Sequence, residues 1–401
     1  MKPLPPCCSE DMSGKAETME IPAGKTLLVD GPATITVLNG TANIYNCLLT
    51  PRKTYLLRPW RRYPIQAETN TTIQLSLGEE AAANIVDTDE TIHTWLENIN
   101  ELTERDVTAV LGGVDTGKTA FATTAVNTLV KKYGRCYVVS LDPGQTYFTP
   151  PTVIGAALAN KPVHDLSELK PFWQKPVGST SAASTASLVA DSVHELSQTA
   201  DKKTPAVIDM DGWVEGPAAI AHKTIILKTL ACTRAIILGD EAQTLKEQLD
   251  PAGIPLKPLA ASKHVKKRDF TDRKKIREWV FRKFLGQPSL KMIPTSWVQL
   301  KTLGRAHSST YEFFMEAVKT ASTALNMLDE SGGNALCKRR IGLVAYLYDM
   351  AEQYLGIGLF CGYDAEKGVV KIVSSKDEGV RKIILGRLFL SAEGDELYQL
   401  D

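Results

Sequence analysis

Val107-Thr108-Ala109-Val110-Leu111-Gly112-Gly113-Val114-Asp115-Thr116-Gly117-Lys118-Thr119 is the stretch that decides the fold. It begins as an apolar β-type run and ends in G-x-x-x-x-G-K-T, from Gly112 to Thr119. A helix is predicted to follow over Ala120–Lys132. A glycine-framed loop between a strand and a helix is a phosphate cradle. Glycine lets successive backbone N–H groups turn inward, and the helix N-terminus adds partial positive charge. Lys118 can then face β- and γ-phosphates while the Thr119 hydroxyl ligates magnesium. The cradle residues are Gly112, Gly113, Val114, Asp115, Thr116, Gly117, Lys118 and Thr119. A GTPase is set aside. Its switch is D-x-x-G, whereas Asp142-Pro143-Gly144 is D-x-G, and Asn160-Lys161-Pro162-Val163 lacks the acid that reads guanine. ATP with Mg2+ is the ligand this leaves.

Outward from the loop, apolar β runs alternate with helical segments between about 105 and 287: Val107–Leu111, Cys136–Val139, Ala206–Ile208 and Ala235–Leu238. That alternation predicts a parallel sheet flanked by helices. Upstream, short runs punctuated by Gly, Asn and Pro predict a small antiparallel sandwich: Thr26–Val29, Ala33–Leu38, Ala42–Tyr45, Thr54–Leu57 and Thr72–Leu75. A helical stretch, Ile92–Leu102, leads out of it. Downstream of 288, β runs return around a helical Tyr311–Leu328, and Tyr363–Lys367 reads as a hairpin turn. The fold class is therefore α/β, with a central P-loop domain, an N-terminal β-sandwich and a smaller C-terminal α/β domain. The boundaries are a disordered tail at 1–18, the sandwich at 19–98, the P-loop domain at 99–287 and the last domain at 288–401.

Composition bounds the rest. A chain of 401 residues with 43% hydrophobic and 23% charged residues is ordinary for a globular protein. No apolar run approaches a membrane span, and MKPLPPCCSEDMSGK lacks the apolar core of a signal peptide, so a membrane partner is not expected. The seven cysteines are scattered without metal-ligand spacing, consistent with a reducing compartment. With 46 basic and 46 acidic residues, nucleic-acid binding needs a local basic patch.

Two further segments carry chemistry. Asp142 follows the strand after the P-loop helix, where an acid can hold magnesium or its water. Asp-Pro-Gly is also ordinary turn chemistry. Lys263–Lys283 holds ten Lys or Arg against three acids and is the most basic stretch. It suits polyphosphate or RNA phosphates, or it is simply a solvated helix face. It lies after the last expected sheet strand, where P-loop kinases carry a lid, so 262–285 is the candidate lid. Arg268 and Arg273 are its candidate phosphoryl-facing residues.

Read together, these motifs resemble the eukaryotic polynucleotide 5′-hydroxyl kinase family associated with pre-mRNA cleavage and polyadenylation. The P-loop is similar to that family's GP-x-D-x-GK-[ST]. Leu141-Asp142-Pro143-Gly144-Gln145 is similar to its LD-x-GQ, and Gly178-Ser179-Thr180-Ser181 to its RNA-touching G-[HS]-T-[ST]. Asp209-Met210-Asp211-Gly212-Trp213-Val214-Glu215-Gly216 resembles its N-T-x-GW-x-x-G clasp, and Arg268, Arg273 and Ile276-Arg277-Glu278-Trp279 resemble its lid. Leu38-Asn39-Gly40-Thr41-Ala42-Asn43-Ile44-Tyr45 looks like its sandwich motif. The resemblance implies that Asp142 is general base and magnesium-site residue beside Thr119. It implies that Lys118, Arg268 and Arg273 are catalytic and that Arg62 lies near adenine. Gln145, Thr180 and Trp213 would meet the acceptor, Trp213 by stacking on a terminal base. Core packing is the other reading of Trp213 taken alone.

The chain departs from that pattern at Gly113 for Pro, and at Asp209 and Asp211 for Asn and Cys. Ala260-Ala261-Ser262 stands for glycines before the lid, lid spacing is off by about one residue, and no acid stands at the adenine position, where Gly24 or Lys25 falls. The activity implied is ATP-dependent phosphorylation of an RNA 5′-hydroxyl end, in mRNA 3′-end cleavage and polyadenylation or in tRNA splicing. The location implied is nuclear, with protein subunits of the 3′-end cleavage machinery as partners. An ATP-loaded, non-catalytic scaffold of the same complex is the alternative. A small-molecule P-loop kinase would leave the GW clasp without a purpose.

Overall fold

The computed structural model describes residues 16–199, 201, 203–304, 310–325, 333–364, 366–376 and 378–400. Residues 1–15 of the expected tail, with Cys7 and Cys8, and the end of the expected helix at Leu328 lie outside the described residues. The chain up to Asp142, Gly155–Trp173 and Ala190–Asp272 form one compact unit. Pro143–Ile154, Gln174–Val189 and the chain from Arg273 form the other.

In the first unit, short alternating strands build two antiparallel sheets. The strands are β1 (Glu17–Ile21), β2 (Lys25–Asp30), β3 (Ala33–Asn39), β4 (Ala42–Ile44), β5 (Cys47–Leu48), β6 (Thr54–Leu57), β7 (Arg62–Ala67), β8 (Thr71–Leu77) and β9 (Ala82–Asp87). The sheet orders are β1-β8-β3-β6 and β5-β4-β7-β2-β9. Alternate residues such as Leu27, Val29, Ile35, Val37, Ile65 and Ile73 bury between them, as a two-residue period requires. The expected sandwich is present. Its runs were legible except β1, β5, β7 and β9. Pro64 breaks the strand signal of β7, and β9 is largely exposed and carries no apolar alternation.

After α1 (Thr91–Asn100) comes β10 (Val107–Gly112), which enters α2 (Lys118–Tyr133), and then β11 (Cys136–Ser140), β12 (Val153–Ala159) and β13 (Pro171–Pro176). Next are α3 (Ala182–Ser197), β14 (Ala206–Asp209), α4 (Pro217–Thr229), β15 (Arg234–Leu238), α5 (Ala242–Leu249), β16 (Leu256–Leu259) and α6 (Phe270–Leu285). The sheet runs β13-β12-β11-β14-β10-β15-β16. Strands β11, β14, β10, β15 and β16 are parallel, as the alternating pattern predicted, but β12 returns antiparallel to β11. β10 is central and buried on both faces, which is why its sequence is a continuous apolar run.

The sandwich and the P-loop sheet are joined by polar contacts sealed from water. Arg58 forks onto Asp165 at 2.7 and 2.9 Å, and the Tyr63 hydroxyl donates to the same carboxylate. Asn127, buried on α2, donates to the Tyr45 and Val163 carbonyls at 2.7 and 2.8 Å and accepts from the Val163 N–H at 2.8 Å. Asn46 donates to the Thr128 hydroxyl at 2.9 Å.

The second unit contains β17 (Ser289–Pro294), β18 (Gln299–Thr302), α7 (Thr310–Ala321), α8 (Gly333–Arg339), β19 (Ile341–Tyr348), β20 (Tyr354–Asp364), β21 (Val369–Ser374), β22 (Lys382–Ser391) and β23 (Glu396–Gln399). Its sheet runs β17-β21-β20-β19-β22-β18, with β23 on β22, and α7 lays Phe314, Ala317, Val318 and Ala321 into its core. β20 and β21 form the expected hairpin. Cys337 and Cys361, read as scattered thiols, are brought together as a disulfide, while Cys47, Cys136 and Cys232 are free and buried. Among the described residues no helix is long and apolar enough to cross a membrane.

Candidate active site

The P-loop takes its shape from backbone constraints. Gly112 has φ 145° and Gly117 has φ 88°. A Cβ on Gly112 would sit 2.4 Å from the Leu238 carbonyl oxygen and 2.7 Å from Thr116 Oγ1, so only glycine fits. Asp115 is left-handed at φ 55°. Inside the turn, the Thr116 hydroxyl donates to the Gly113 carbonyl at 3.0 Å and Lys118 Nζ donates to the same oxygen at 2.6 Å. α2 then begins at Lys118 with its first N–H groups open toward the loop. It closes at Gly134 (φ 80°), with Lys131 and Lys132 in its last turn suiting the negative end of the helix dipole.

Acids gather at the ends of the neighbouring strands. Asp142 follows β11, and the preceding Leu141 N–H donates to the Asp209 carbonyl at 3.0 Å, which sets the two strand ends side by side. Asp209 closes β14 and accepts from the Thr119 hydroxyl at 2.9 Å. Burial pushes its carboxyl up to about 7, against Lys118 and Thr119, and Asp142 adds to the push. Burial likewise pulls the Lys118 ammonium down, while Asp209, Asp142, Asp211 and Asp115 oppose it. The residues fit a magnesium-bound polyphosphate. At Gly112 the cradle leaves no room for a Cβ, one lysine faces inward, and Thr119, Asp142 and Asp209 supply hard oxygen donors.

Arg268, from the basic segment expected to form a lid, bonds the P-loop. Its Nε and Nη2 bond Asp115 Oδ1 at 3.0 and 2.7 Å, and its backbone N–H bonds Asp115 Oδ2 at 2.8 Å. Arg62 forks onto Asp30 at 2.8 and 2.9 Å and reaches the His264 carbonyl at 3.3 Å, with Lys266 also 3.4 Å from Asp30. Trp213 is half-buried, on the loop after β14. Its N–H donates to Asp211 Oδ1 at 2.9 Å and its ring lies 5.9 Å from that of His222. Arg62, the P-loop, Asp142, Trp213 and Arg268 thus belong to one unit. Gln145, Thr180 and Arg273 belong to the other. There Gln145 donates to the Gly144 carbonyl at 3.2 Å, Thr180 lies just before α3, and Arg273 is in the first turn of α6.

Four residues were missed in the sequence. Asp30 is the acid beside Arg62, although only Gly24 and Lys25 were weighed for such a role. Asp209 ends the strand next to β10, a position that could have flagged it. Trp95 packs within 3.3 Å of where a Gly117 Cβ would stand, and Lys223 is buried against Asp211. Neither announces itself in sequence.

The fold and this site define a P-loop nucleotide-binding protein with flanking β-rich domains. Residues 112–287 match the family described as mRNA cleavage and polyadenylation factor CLP1 P-loop. The polyribonucleotide 5′-hydroxyl-kinase of Thermococcus kodakarensis is 24% identical over 75% of this chain and 93% of its own. That of Pyrococcus furiosus is 26% identical over 73% and 90%. The protein CLP1 homolog of Anopheles gambiae is 24% identical over 66% and 67%. In structure, the chain is similar to Clp1p in its wild-type complex with Pcf11p. The TM-score is 0.69 at 14% identity, covering 94% of this chain and 98% of that one. The chain is thus similar to Clp1-like polynucleotide kinases, with its P-loop segment matching their family model, and its P-loop is an ATP-binding site.

Proposed function

We propose that the protein transfers the γ-phosphoryl group of ATP to the 5′-hydroxyl end of RNA. The observation that carries this reading is the convergence, at one edge of the sheet, of the P-loop, Asp142 and the Trp213 loop from the adjacent strands β10, β11 and β14. Asp142 takes the proton of the 5′-hydroxyl as its oxygen bonds phosphorus, and the bond to ADP breaks. Lys118 swings from the Gly113 carbonyl to the β- and γ-phosphates. Thr119 and Asp142, with Asp209 behind Thr119, would hold Mg2+, which neutralises charge on the phosphates. Trp213 stacks on the terminal base, and Gln145 and Thr180 contact the acceptor. Arg62 and Asp30 flank the nucleotide base. Arg268 and Arg273 close the lid over the transferring group. The domain limits 19–98, 99–287 and 288–401 and the lid at 262–285 belong to the same reading.

The relatives support the setting. Those named kinases act, by their names, on polyribonucleotide 5′-hydroxyls, and Clp1p is seen with Pcf11p. The chain accordingly acts in RNA processing with protein subunits of the 3′-end cleavage machinery, in the nucleus where the source is eukaryotic. One observation favours the scaffold alternative: the Arg268 fork is committed to Asp115. Labelled γ-phosphate transfer to a 5′-hydroxyl RNA oligonucleotide separates the two. Magnesium-dependent labelling is expected. ATP binding with no labelling of RNA or of a matched DNA would leave the scaffold.

A further inference from the structure

Lys223 is fully buried, on the second turn of α4, and its Nζ lies 2.5 Å from Asp211 Oδ2. It also reaches the Asp211 carbonyl at 3.4 Å. Asp211 is itself almost fully buried, with His222 Nε2 3.6 Å from the same carboxylate. Its other oxygen takes the Trp213 N–H at 2.9 Å. One carboxylate therefore ties the helix after the loop to the backbone of the residue that carries the indole. The following Gly212 passes directly over the P-loop: a Cβ there would stand 2.9 Å from Val114 Cγ2 and 3.3 Å from the Val114 backbone. The loop has no freedom on that side, and the charge pair fixes it on the other. Burying a lysine and an aspartate together is costly unless geometry and hydrogen bonds compensate, and removing one partner strands the other charge. A hydrophobic pair would fill the same space without that liability. In some proteins a buried pair of this kind serves to hold one conformation.

Resting on the acceptor reading of Trp213, we propose that Asp211 and Lys223 are positioning residues that hold the 210–216 loop so that the Trp213 ring is preset for the first base of the RNA acceptor. Preset aromatic surface binds without an ordering cost. Releasing the loop therefore weakens the acceptor and leaves the nucleotide alone.

The test is Asp211→Asn in the full chain, with Trp213→Ala beside it. A 3′-labelled, 5′-hydroxyl RNA oligonucleotide is titrated by fluorescence anisotropy, and ATP by calorimetry. Asp211→Asn keeps an oxygen for the Trp213 N–H and removes the ion pair. Oligonucleotide affinity is expected to fall about tenfold, within the range for loss of one base stack, with ATP affinity within about twofold of wild type. A purely structural pair would lower the melting temperature and leave oligonucleotide affinity unchanged in the folded variant. That result overturns the proposal, as does equal weakening of both ligands. Should the single variant not fold, Asp211→Asn with Lys223→Met leaves no stranded charge and carries the same expectation. If Trp213→Ala weakens the oligonucleotide and Asp211→Asn does not, the pair loses its role and the acceptor reading stands. If Trp213→Ala changes nothing, the acceptor reading fails first and the proposal falls with it.

Discussion

The P-loop and the loop carrying Trp213 leave adjacent parallel strands at the same sheet edge, yet different physics holds each in shape. The P-loop is a backbone structure. Gly112 and Gly117 at positive φ, and a side chain folded onto the Gly113 carbonyl, define it within eight residues. The Trp213 loop has one residue at positive φ, Gly216 at its end, and is held by a carboxylate and an ammonium that meet across twelve positions of chain. A backbone-built loop tolerates many side chains but no added Cβ at a position such as Gly112. A charge-built loop depends on two side chains being present together. The first suits a ligand that is the same in every turnover. The second gives a chain its own way of setting the loop proposed to meet the acceptor, here at a position, Asp211, where the family resemblance implies Cys.

Perturbations should separate the two loops. The largest effect is expected from Lys118→Ala. It removes the cation facing the phosphates and should lower phosphoryl transfer by about 10³-fold, with weakened ATP binding in calorimetry. Asp142→Asn should lower transfer by roughly 100-fold while ATP still binds. Initial rates equal to wild type would dismiss it as the base. Gly212→Ala tests whether the loops are independent. Its Cβ collides with Val114, so ATP and oligonucleotide should both weaken, by about fivefold each for a strain near 1 kcal/mol. An effect on one ligand alone would show that the loops give way separately.

The smallest change is expected from mild acid. Burial works against the carboxylates of Asp165 and Asp211. Arg58, Arg61 and Tyr63 around the first, and Lys223 and His222 around the second, outweigh it and hold both well below the usual range. In the unfolded chain both titrate near about 3.9. The folded form thus binds fewer protons, so the stability these groups confer is complete above about pH 4 and is lost as pH falls further toward their folded values. Urea midpoints should stay flat from these groups between about pH 7 and 5 and then fall. Asp165→Asn should reduce the acid-side slope.

What the sequence revealed follows the same division. The strand, glycines and helix of the P-loop are consecutive, so local rules found them, and Asp142 followed from its place after the next strand. Arg268 was singled out, but its bond to Asp115 spans 153 residues and no pattern announces it. Arg62 was named without its partner Asp30, because pairing across β2 and β7 depends on register. Lys223 looks like any helical lysine until the fold buries it. β12 was missed, and with it the antiparallel arm of the sheet. Its small residues, Gly155, Ala156 and Ala157, lack the β-branched signal of a strand.

Asn127 has a consequence for how this chain can be divided. It lies on the helix whose first turn meets the phosphates, and it is wedged between the Tyr45 and Val163 carbonyls. The sandwich is therefore a brace for the nucleotide site and not a passenger module. A chain cut before Thr91 would leave Asn127, Thr128 and Asp165 facing water where they now face Tyr45, Asn46 and Arg58. Excising the P-loop sheet alone is therefore expected to weaken nucleotide binding, because it strips these partners from the helix that begins at the site.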